Sequence, residues 1–414
     1  MNVIKSMPIL LPKKDIDLSK WSVVACDQFT SERAYWERLK EYVGDSYSTL
    51  NIVFPEVYLG SNDDERIQKI NDTMRKYQSE GIFDVHENCF ILVDRVISNG
   101  QHRLGLVIAI DLEEYDFSPT SKARIKATEG TVIERIPPRV KIRKNAIVEL
   151  PHVMLLMDDR EQKIIENLYD SRDKLEKLYD FELNMDGGRI TGYKVTNVTE
   201  ITNKLYGLLD KDYQRKIYGK ETSILFSVGD GNHSLATAKT HWDNLKQTLS
   251  KEEKETHPAR YGLVELVNLN GSGLDFEPIH RVVFGVTKKD VEEIVSKFSK
   301  GNGKIELNYE GKEYFIKVDE NSPKAIDEVQ TYLDSLVKSG KAGVDYVHGR
   351  KNTLDVAKSE NGLAIFMPTI KKEELFGYII EKGVLPRKSF SMGEANDKRY
   401  YLEAKYIVPN KELK

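Results

Sequence analysis

The chain has 414 residues, a length that predicts two domains or one elaborated domain. Its net charge of −4 argues against a non-specific nucleic-acid-binding protein, because such proteins carry a basic face. No segment approaches the ~20 apolar residues of a membrane-spanning helix, and the broken apolar run at 1–17 does not fit a signal peptide. Cys26 and Cys89 form no CxxC pair and lie among apolar neighbours, which predicts two buried thiols without a disulfide. We therefore expect a cytoplasmic protein that contacts neither a membrane nor nucleic acid.

The first part of the chain predicts strands mixed with two helices. A buried strand is predicted at 21–27 (WSVVACD), followed by a helix that Thr30 or Ser31 would cap. A second helix is predicted over Asp63–Gln78. Residues 89–112 predict a β-hairpin, because two apolar runs flank an Asn-Gly turn.

The rest of the chain alternates between the two kinds of element. Strands are predicted at 152–158, 187–198, 223–228, 261–269, 362–368 and 398–408, and helices at 160–179, 198–219, 235–249 and 372–383. Residues 287–340 predict a small α+β module of two helices and a strand pair. The pattern indicates a mixed α/β and α+β protein with an N-terminal α/β region at 1–150, a core region at 151–286 and a C-terminal α+β module at 287–414.

The strongest candidate for chemistry is the segment SILFSV-GDGNHS-LATAKTHW. An apolar strand runs into a Gly-rich turn and then a helix start, where free N–H groups and the helix dipole favour an anion. Asp230 could hold a metal ion or accept a hydroxyl proton, and His233 and Ser234 could donate to phosphate oxygens. The alternative is a tight connection in which Asp230 and Asn232 only cap the helix. The segment is neither a Walker A loop nor a Rossmann fingerprint.

The second candidate is the segment 127–143 (ATEGTVIERIPPRVKIR). Its polar and charged residues include Glu129, Thr131, Arg135, Arg139, Lys141 and Arg143. Arginine is the preferred partner for two-point recognition of oxyanions. Because Pro137 and Pro138 oppose a helix, we expect an extended segment that places Arg139, Lys141 and Arg143 on one face. The alternative is a solvated charged face.

Two later segments are weaker candidates. His280 and Arg281 lie in PIHRV (278–282), and Lys388 and Ser389 lie in LPRKSF (385–390). Both pairs could bind phosphate; the alternative is an exposed His-Arg pair for His280 and Arg281, and a simple loop for Lys388 and Ser389. His152 and His348 are interpreted as structural. The sequence contains no HExxH, no Cys/His pattern that fits zinc and no GxSxG elbow.

Taken in order, these segments resemble the family called domain of unknown function 1015. The family shows an HE-x-T segment, a D-G-H-H-R segment before a helix, a P-x-H-R segment and a late P-x-K-S segment, and the resemblance spans about residues 20–405. Here Thr128 stands where the family has His, and Asn232 and Ser234 stand where it has His and Arg. The D-G-x-H-x segment is also similar to the phosphate-binding helix start of the ParB/sulfiredoxin superfamily, to which free-serine kinases belong.

This resemblance implies a ParB/sulfiredoxin-like core and a phosphotransferase that phosphorylates free L-serine to O-phosphoserine, with pyrophosphate or a nucleotide such as ATP or ADP as donor. It implies that the backbone of Gly231 to Ser234 cradles a phosphate, that Asp230 or Glu129 holds Mg²⁺, and that one of these carboxylates acts as the base. The remaining residues implied in phosphate binding are Thr131, Arg135, Arg139, Arg143, Asn232, His280, Arg281, Lys388 and Ser389.

Two other functions remain open at the level of sequence. A phosphatase acting on a small phosphorylated metabolite would use the same anion site. A non-catalytic, nucleotide-binding ParB-like module would bind the ligand without turnover. The partners expected are a small-molecule substrate and a phosphate donor, and a homodimer is one of the oligomeric states left open.

Overall fold

The computed structural model describes residues 2–413, which form helices and strands in alternation. The helices are α1 (Leu18–Trp21), α2 (Arg33–Val43), α3 (Asp63–Ser79), α4 (Ile136–Arg143), α5 (Ile165–Asp170), α6 (Val198–Gly207), α7 (Lys211–Tyr218), α8 (Asn232–Leu245), α9 (Lys251–Thr256), α10 (Lys288–Lys297), α11 (Ser322–Lys338), α12 (Arg350–Ser359) and α13 (Lys372–Lys382).

The strands, numbered in the same way, follow in chain order. They are β1 (Ile4–Lys5), β2 (Ile9–Pro12), β3 (Phe83–His86), β4 (Phe90–Val96), β5 (His102–Asp111), β6 (Tyr115–Asp116), β7 (Ile125–Ala127), β8 (Val148–Glu149), β9 (Met154–Met157), β10 (Glu176–Glu182), β11 (Arg189–Val195), β12 (Phe226–Asp230), β13 (Tyr261–Asn268), β14 (Phe276–Phe284), β15 (Gly303–Tyr309), β16 (Lys312–Val318), β17 (Gly343–His348), β18 (Leu363–Phe366), β19 (Phe390–Met392) and β20 (Lys405–Tyr406).

The chain divides into two compact units and passes from one to the other four times along the sequence. Unit 1 contains residues 1–127, 131–274 and 394–414, and unit 2 contains residues 128–130 and 275–393. The three consecutive ranges predicted from sequence, 1–150, 151–286 and 287–414, do not coincide with these units. Sequence patterning cannot show that residues 394–414 return to the first unit, because that return depends on long-range contacts.

Unit 1 is built on a mixed sheet in the order β10-β11-β4-β5-β13-β9-β12-β7-β6, with β1 added beside β5. Strand β12 runs parallel to β7 and antiparallel to β9, so it lies inside the sheet. All eight residues of β13 are buried, as expected for a strand covered on both faces. This burial explains why its sequence is a continuous apolar run rather than an alternating one.

Unit 2 contains a smaller sheet in the order β16-β15-β18-β14-β17, with β19 paired to β14. Helices α10 to α13 belong to this unit. Two backbone hydrogen bonds join its short segment 128–130 to Leu385. The Leu385 N–H donates to the Thr128 carbonyl at 2.7 Å, and the Gly130 N–H donates to the Leu385 carbonyl at 3.3 Å. The mixed α/β class is therefore confirmed, while a ParB/sulfiredoxin-like core remains a prediction.

Most of the predicted elements are present. The hairpin predicted at 89–112 is β4 and β5, the helix predicted at Asp63–Gln78 is α3, and the module predicted at 287–340 is α10, β15, β16 and α11. Among residues 2–413, no helix is long and apolar enough to span a membrane. Cys89 is buried as expected, whereas Cys26 is only half-buried.

Three predicted elements are wrong. The helix predicted at 160–179 stops at Asp170, and residues 176–182 instead form strand β10, because pairing with β11 overrides the helical spacing of the leucines. Residues 21–27 are mostly buried but pair only through a single bridge at Val24. The strand predicted at 398–408 is reduced to β20, and the residues before it form two isolated bridges, Ala404 with Leu10 on β2 and Arg399 with Val24.

Candidate functional site

A sharp turn at Gly231 joins β12 to α8. Gly231 has φ +82°, in the left-handed region, and a Cβ at this position would lie 3.0 Å from Val153 Cα. Only glycine fits such a conformation without strain at so close an approach. The turn therefore places the first residues of α8 directly against residues 152 and 153, and it confirms the predicted strand–turn–helix geometry.

The start of α8 has the features of an anion site. Its first turn contains no acidic residue and consists of Asn232, His233 and Ser234. The first N–H groups of an α-helix have no partner within the helix, and the helix dipole adds partial positive charge there. Within residues 2–413, the buried Asn232 Oδ1 has no hydrogen-bond partner, and neither has Thr131 Oγ1.

Asp230, the last residue of β12, is held by two contacts. One carboxylate oxygen accepts a hydrogen bond from the Gly231 N–H at 2.9 Å, and the other lies 3.1 Å from Lys398 Nζ. Asp230 and Lys398 side chains are 27% and 20% exposed, so the pair is reachable from solvent. The sequence singled out Asp230 but missed Lys398, which lies 168 positions further along the chain.

His233 contacts the segment that follows Thr131. The Val132 N–H donates to His233 Nε2 at 3.3 Å, so the neutral ring carries its proton on Nδ1. This contact brings residues 131–132 to the start of α8, as the sequence interpretation of both segments required.

His152 and Ser234 form a second pair at the start of α8. Ser234 Oγ lies 2.8 Å from His152 Nε2, and the His152 ring packs edge-on against Tyr400 with centroids 4.9 Å apart. Burial alone would raise the pKa of Asp27, but the neighbouring His152 and, less strongly, Lys398 lower it overall. The sequence interpretation of His152 as a structural residue missed this pairing, although its place before β9, the neighbour of β12, offered a signal.

A cavity of about 170 Å³ lies beside this pair, within unit 1. Its walls are mostly apolar and are contributed by α3, α4, α8 and the segment 148–153. Its polar lining includes Ser234, His152, Thr237, Glu56 and Tyr400. Ser234 and His152 are therefore shared between the start of α8 and this cavity.

The segment with Pro137 and Pro138 is helical, which corrects the prediction of an extended strand-like stretch. Both prolines lie in the first turn of α4, where the missing N–H groups have no intrahelical partner to lose. In a helix, positions four apart share a face. Arg139 and Arg143 consequently point together, whereas Lys141 points elsewhere.

The cations of this segment are already paired. Arg139 forms an ion pair with Glu56, and Arg143 forms one with Glu149 at 2.5 Å. Lys141 pairs with Asp64 on the surface at 2.6 Å. Although burial acts to raise the pKa of Glu149, Lys405 and Arg143 hold it below its usual value, so this buried carboxylate is ionised.

Arg135 is different, because its side chain is exposed and its carbonyl accepts a hydrogen bond from Arg139 at 2.7 Å. Of the three arginines in the segment 127–143, Arg139 and Arg143 are thus neutralised by carboxylates.

The remaining predicted residues belong to unit 2. The carboxylate of Glu129 accepts hydrogen bonds from the backbone N–H groups of Lys388 at 3.2 Å and Ser389 at 3.0 Å. Burial raises the pKa of Glu129 above its usual value. The Ser389 hydroxyl donates to the Pro386 carbonyl at 2.6 Å, and the Lys388 side chain is exposed. The loop that resembles P-x-K-S therefore binds a carboxylate of its own chain.

His280 and Arg281 lie on β14 and are both buried. The Arg281 guanidinium donates to Gln330 Oε1 at 2.8 Å and lies over the Tyr346 ring, and burial lowers its pKa to about 10. Burial, together with nearby cations, lowers the pKa of His280 to about 4. The interpretation of these two residues as an exposed pair is thus wrong: neighbouring residues of a strand point to opposite faces, and both faces of β14 are covered at this position.

The acidic and histidine side chains do not form a metal centre. Among residues 2–413, no group of three or more His, Cys, Asp or Glu side chains could hold a metal ion. Asp230 already contacts a cation, Lys398. A resident metal held by protein ligands alone therefore does not fit this arrangement.

The fold and the site define a mixed α/β protein in which Gly231, in the left-handed conformation, precedes a helix whose first turn contains no acidic residue. The chain belongs to the DUF1015 family, whose model is described as a protein of unknown function and matches residues 10–395. No curated protein matches the chain.

Several solved structures are similar to the chain at low identity. A free serine kinase in complex with AMP is 13% identical with a TM-score of 0.38, covering 74% of this chain and 93% of that one. A conserved hypothetical protein from Pyrococcus furiosus is 11% identical with a TM-score of 0.35, covering 73% and 95%. A C-terminally truncated SbnI from Staphylococcus aureus is 10% identical with a TM-score of 0.35, covering 73% and 83%. These TM-scores are too low to establish a shared fold.

Proposed function

We propose that this protein is a phosphotransferase that transfers a phosphoryl group to an alcohol, with free L-serine as the acceptor and pyrophosphate or a nucleotide (ATP or ADP) as the donor. The observation that carries the proposal is the start of α8, where Gly231 presents a helix N-terminus without acidic residues next to Lys398. The choice of L-serine rests on the resemblance of the D-G-x-H-x segment to free-serine kinases.

The geometry supports phosphoryl transfer because that reaction needs positioning and charge neutralisation more than covalent chemistry. The N–H groups of the first turn of α8 bind phosphate oxygens, and the protonated Nδ1 of His233 supplies a further donor. The carboxylate of Asp230 lies at the edge of the same turn, where it accepts the proton of the acceptor hydroxyl. Lys398 forms a direct ion pair with the Asp230 carboxylate.

In this proposal Mg²⁺ binds as a complex with the phosphates of the donor and is not a resident metal of the protein. A magnesium ion bound to substrate phosphates uses one or two protein carboxylates and keeps several waters, so it does not need the metal cluster that residues 2–413 lack. Asp230 is the carboxylate closest in sequence to the first turn of α8, where the phosphate is proposed to bind. Titration of activity with Mg²⁺ tests this assignment.

The test is phosphorus NMR of the full chain with Mg²⁺ and L-serine, offered ATP, ADP or pyrophosphate in separate tubes. A phosphoserine signal with one donor, absent in Asp230→Ala, is the expected result. Asp212→Ala serves as the matched control, because Asp212 lies on the exposed surface of α7. Removal of a general base lowers the rate about 10²- to 10⁴-fold.

The two alternatives give different results in the same tubes. Release of inorganic phosphate from a phosphorylated metabolite, without phosphoserine, would indicate a phosphatase. Nucleotide binding without turnover, retained in Asp230→Ala, would indicate a binding module. Absence of phosphoserine with all three donors would refute L-serine as the acceptor.

A further inference from the structure

A serine side chain and a histidine side chain form a pair where α8 begins, and neither side chain has a role in the transfer as proposed so far. Ser234 Oγ and His152 Nε2 are 2.8 Å apart, within the range expected for a nucleophile and its base. Ser234 is the third residue of α8, so its side chain points back toward the helix N-terminus. Ser234 and His152 also face the cavity of unit 1.

Three observations describe the surroundings of the His152 ring. Asp27 lies near the imidazole, because among the groups that lower the pKa of Asp27, His152 has the largest effect. The negative charge of the Asp27 carboxylate therefore faces the imidazole. Tyr400 packs edge-on against the ring and fixes its orientation. His152 Nδ1 is buried and has no hydrogen-bond partner among residues 2–413. In the tautomer that carries the proton on Nδ1, Nε2 accepts the hydrogen bond from the Ser234 hydroxyl.

Nearby hydroxyls lack this arrangement. Thr237, one turn further along α8 on the same cavity, donates its hydroxyl to the His233 carbonyl at 2.7 Å. Thr131 Oγ1 has no partner at all among the described residues. Of these three hydroxyls, only that of Ser234 is joined to a base.

We propose that Ser234 is a nucleophile that receives the phosphoryl group from the donor and passes it to the acceptor alcohol, with His152 as its general base; this rests on the phosphotransferase function proposed above. In the first step the Ser234 Oγ–P bond forms, the bond from phosphorus to the donor's leaving oxygen breaks, and the hydroxyl proton moves to His152 Nε2. In the second step the acceptor oxygen attacks phosphorus, its proton is taken up by Asp230, and Ser234 Oγ regains the proton from His152. Asp230 then releases its proton to solvent or to the departing leaving group, which returns the enzyme to its starting state.

The first experiment is intact-mass and peptide mass spectrometry of the full chain with the donor and Mg²⁺ but no acceptor. The expected result is a gain of one HPO₃ group on Ser234, lost in Ser234→Ala and retained in Thr237→Val, the matched control. Turnover in Ser234→Ala should fall by about 10²-fold or more. Wild-type turnover without a phosphorylated intermediate, together with full turnover in Ser234→Ala, would overturn the proposal while leaving the phosphotransferase function intact.

The second experiment needs no knowledge of donor or acceptor. A fluorophosphonate reagent forms an Oγ–P bond with loss of fluoride when a serine is activated by a base. Labelling of Ser234 should slow about 10²-fold in His152→Asn, whose folding is checked by the fluorescence of its buried tryptophans. Labelling that is unchanged in this variant, or that falls on other serines, would overturn the role of the pair. Labelled Ser234 without transfer to L-serine would instead refute only the acceptor.

Discussion

Substitution of Gly231 by alanine tests whether the turn before α8 is set by backbone conformation and close packing together. Alanine at φ +82° costs about 1–2 kcal/mol, because the Cβ crowds the backbone in the left-handed region. The added Cβ would also lie 3.0 Å from Val153 Cα, a backbone atom that cannot rotate away, and such overpacking costs about 1–3 kcal/mol more. We therefore expect Gly231→Ala to lower the free energy of unfolding by about 2–5 kcal/mol.

Gly100→Ala is the matched control for this substitution. Gly100 also has φ +82°, but a Cβ there meets no atom within 4 Å, so this variant measures the cost of the backbone conformation alone. Urea unfolding followed by tryptophan fluorescence is a suitable assay, because the three tryptophans, Trp21, Trp36 and Trp242, are all buried in unit 1. Equal destabilisation by the two variants would refute the contact with Val153, and an unaffected Gly231→Ala would refute the conformational cost as well.

Two further variants probe buried charge in unit 1. Burial raises the pKa of Glu403 from its usual 4.5 to about 7, so the protonated form is favoured in the folded state. The contribution of Glu403 to the free energy of unfolding should therefore fall by about 3 kcal/mol as pH rises from 4.5 to 7. Urea unfolding at a series of pH values measures this contribution as wild type minus Glu403→Gln, and a difference that stays constant or rises over this range would contradict the burial argument. Arg143→Ala leaves the buried Glu149 carboxylate with Lys405 as its only cationic partner, and we expect the free energy of unfolding to fall by about 2–4 kcal/mol. Lys141→Ala, on the exposed face of the same helix, is the control and should lower it by less than about 1 kcal/mol. Equal losses in thermal or urea unfolding would show that the Arg143–Glu149 pair is not effectively buried.

The sequence predicted the elements that depend on local chemistry. The Asn-Gly turn of the first hairpin, the strand into Gly231 and the helix after it follow from backbone preferences and hydrophobic spacing. The same local information failed where a distant partner decides the conformation. Residues 176–182 form a strand because β11 lies beside them, and the Pro137-Pro138 pair opens a helix because prolines are tolerated in a first turn but not later.

The candidate site was predictable only in part, for the same reason. Asp230, Gly231 and His233 are adjacent in sequence and could be recognised together. Lys398 comes from the far end of the chain, and His152 reaches Ser234 only because β9 lies beside β12 in the sheet. A single sequence does not reveal strand order in a mixed sheet, and therefore does not reveal which side chains meet at the end of β12.

The pairing of Arg139 and Arg143 changes what the site can use to bind a donor. Each guanidinium faces a carboxylate, so the two helical arginines add little net positive charge at the start of α8. Lys398 is likewise balanced by Asp230. Apart from the exposed Arg135, what remains is the partial charge of the helix N-terminus, equivalent to about half a unit charge. Removal of Arg139 would therefore expose the negative charge of Glu56 at the cavity wall rather than merely subtract a phosphate ligand. Because the site has little net positive charge, the proposed donor matches it better as a complex with a cation such as Mg²⁺ than as a free polyanion.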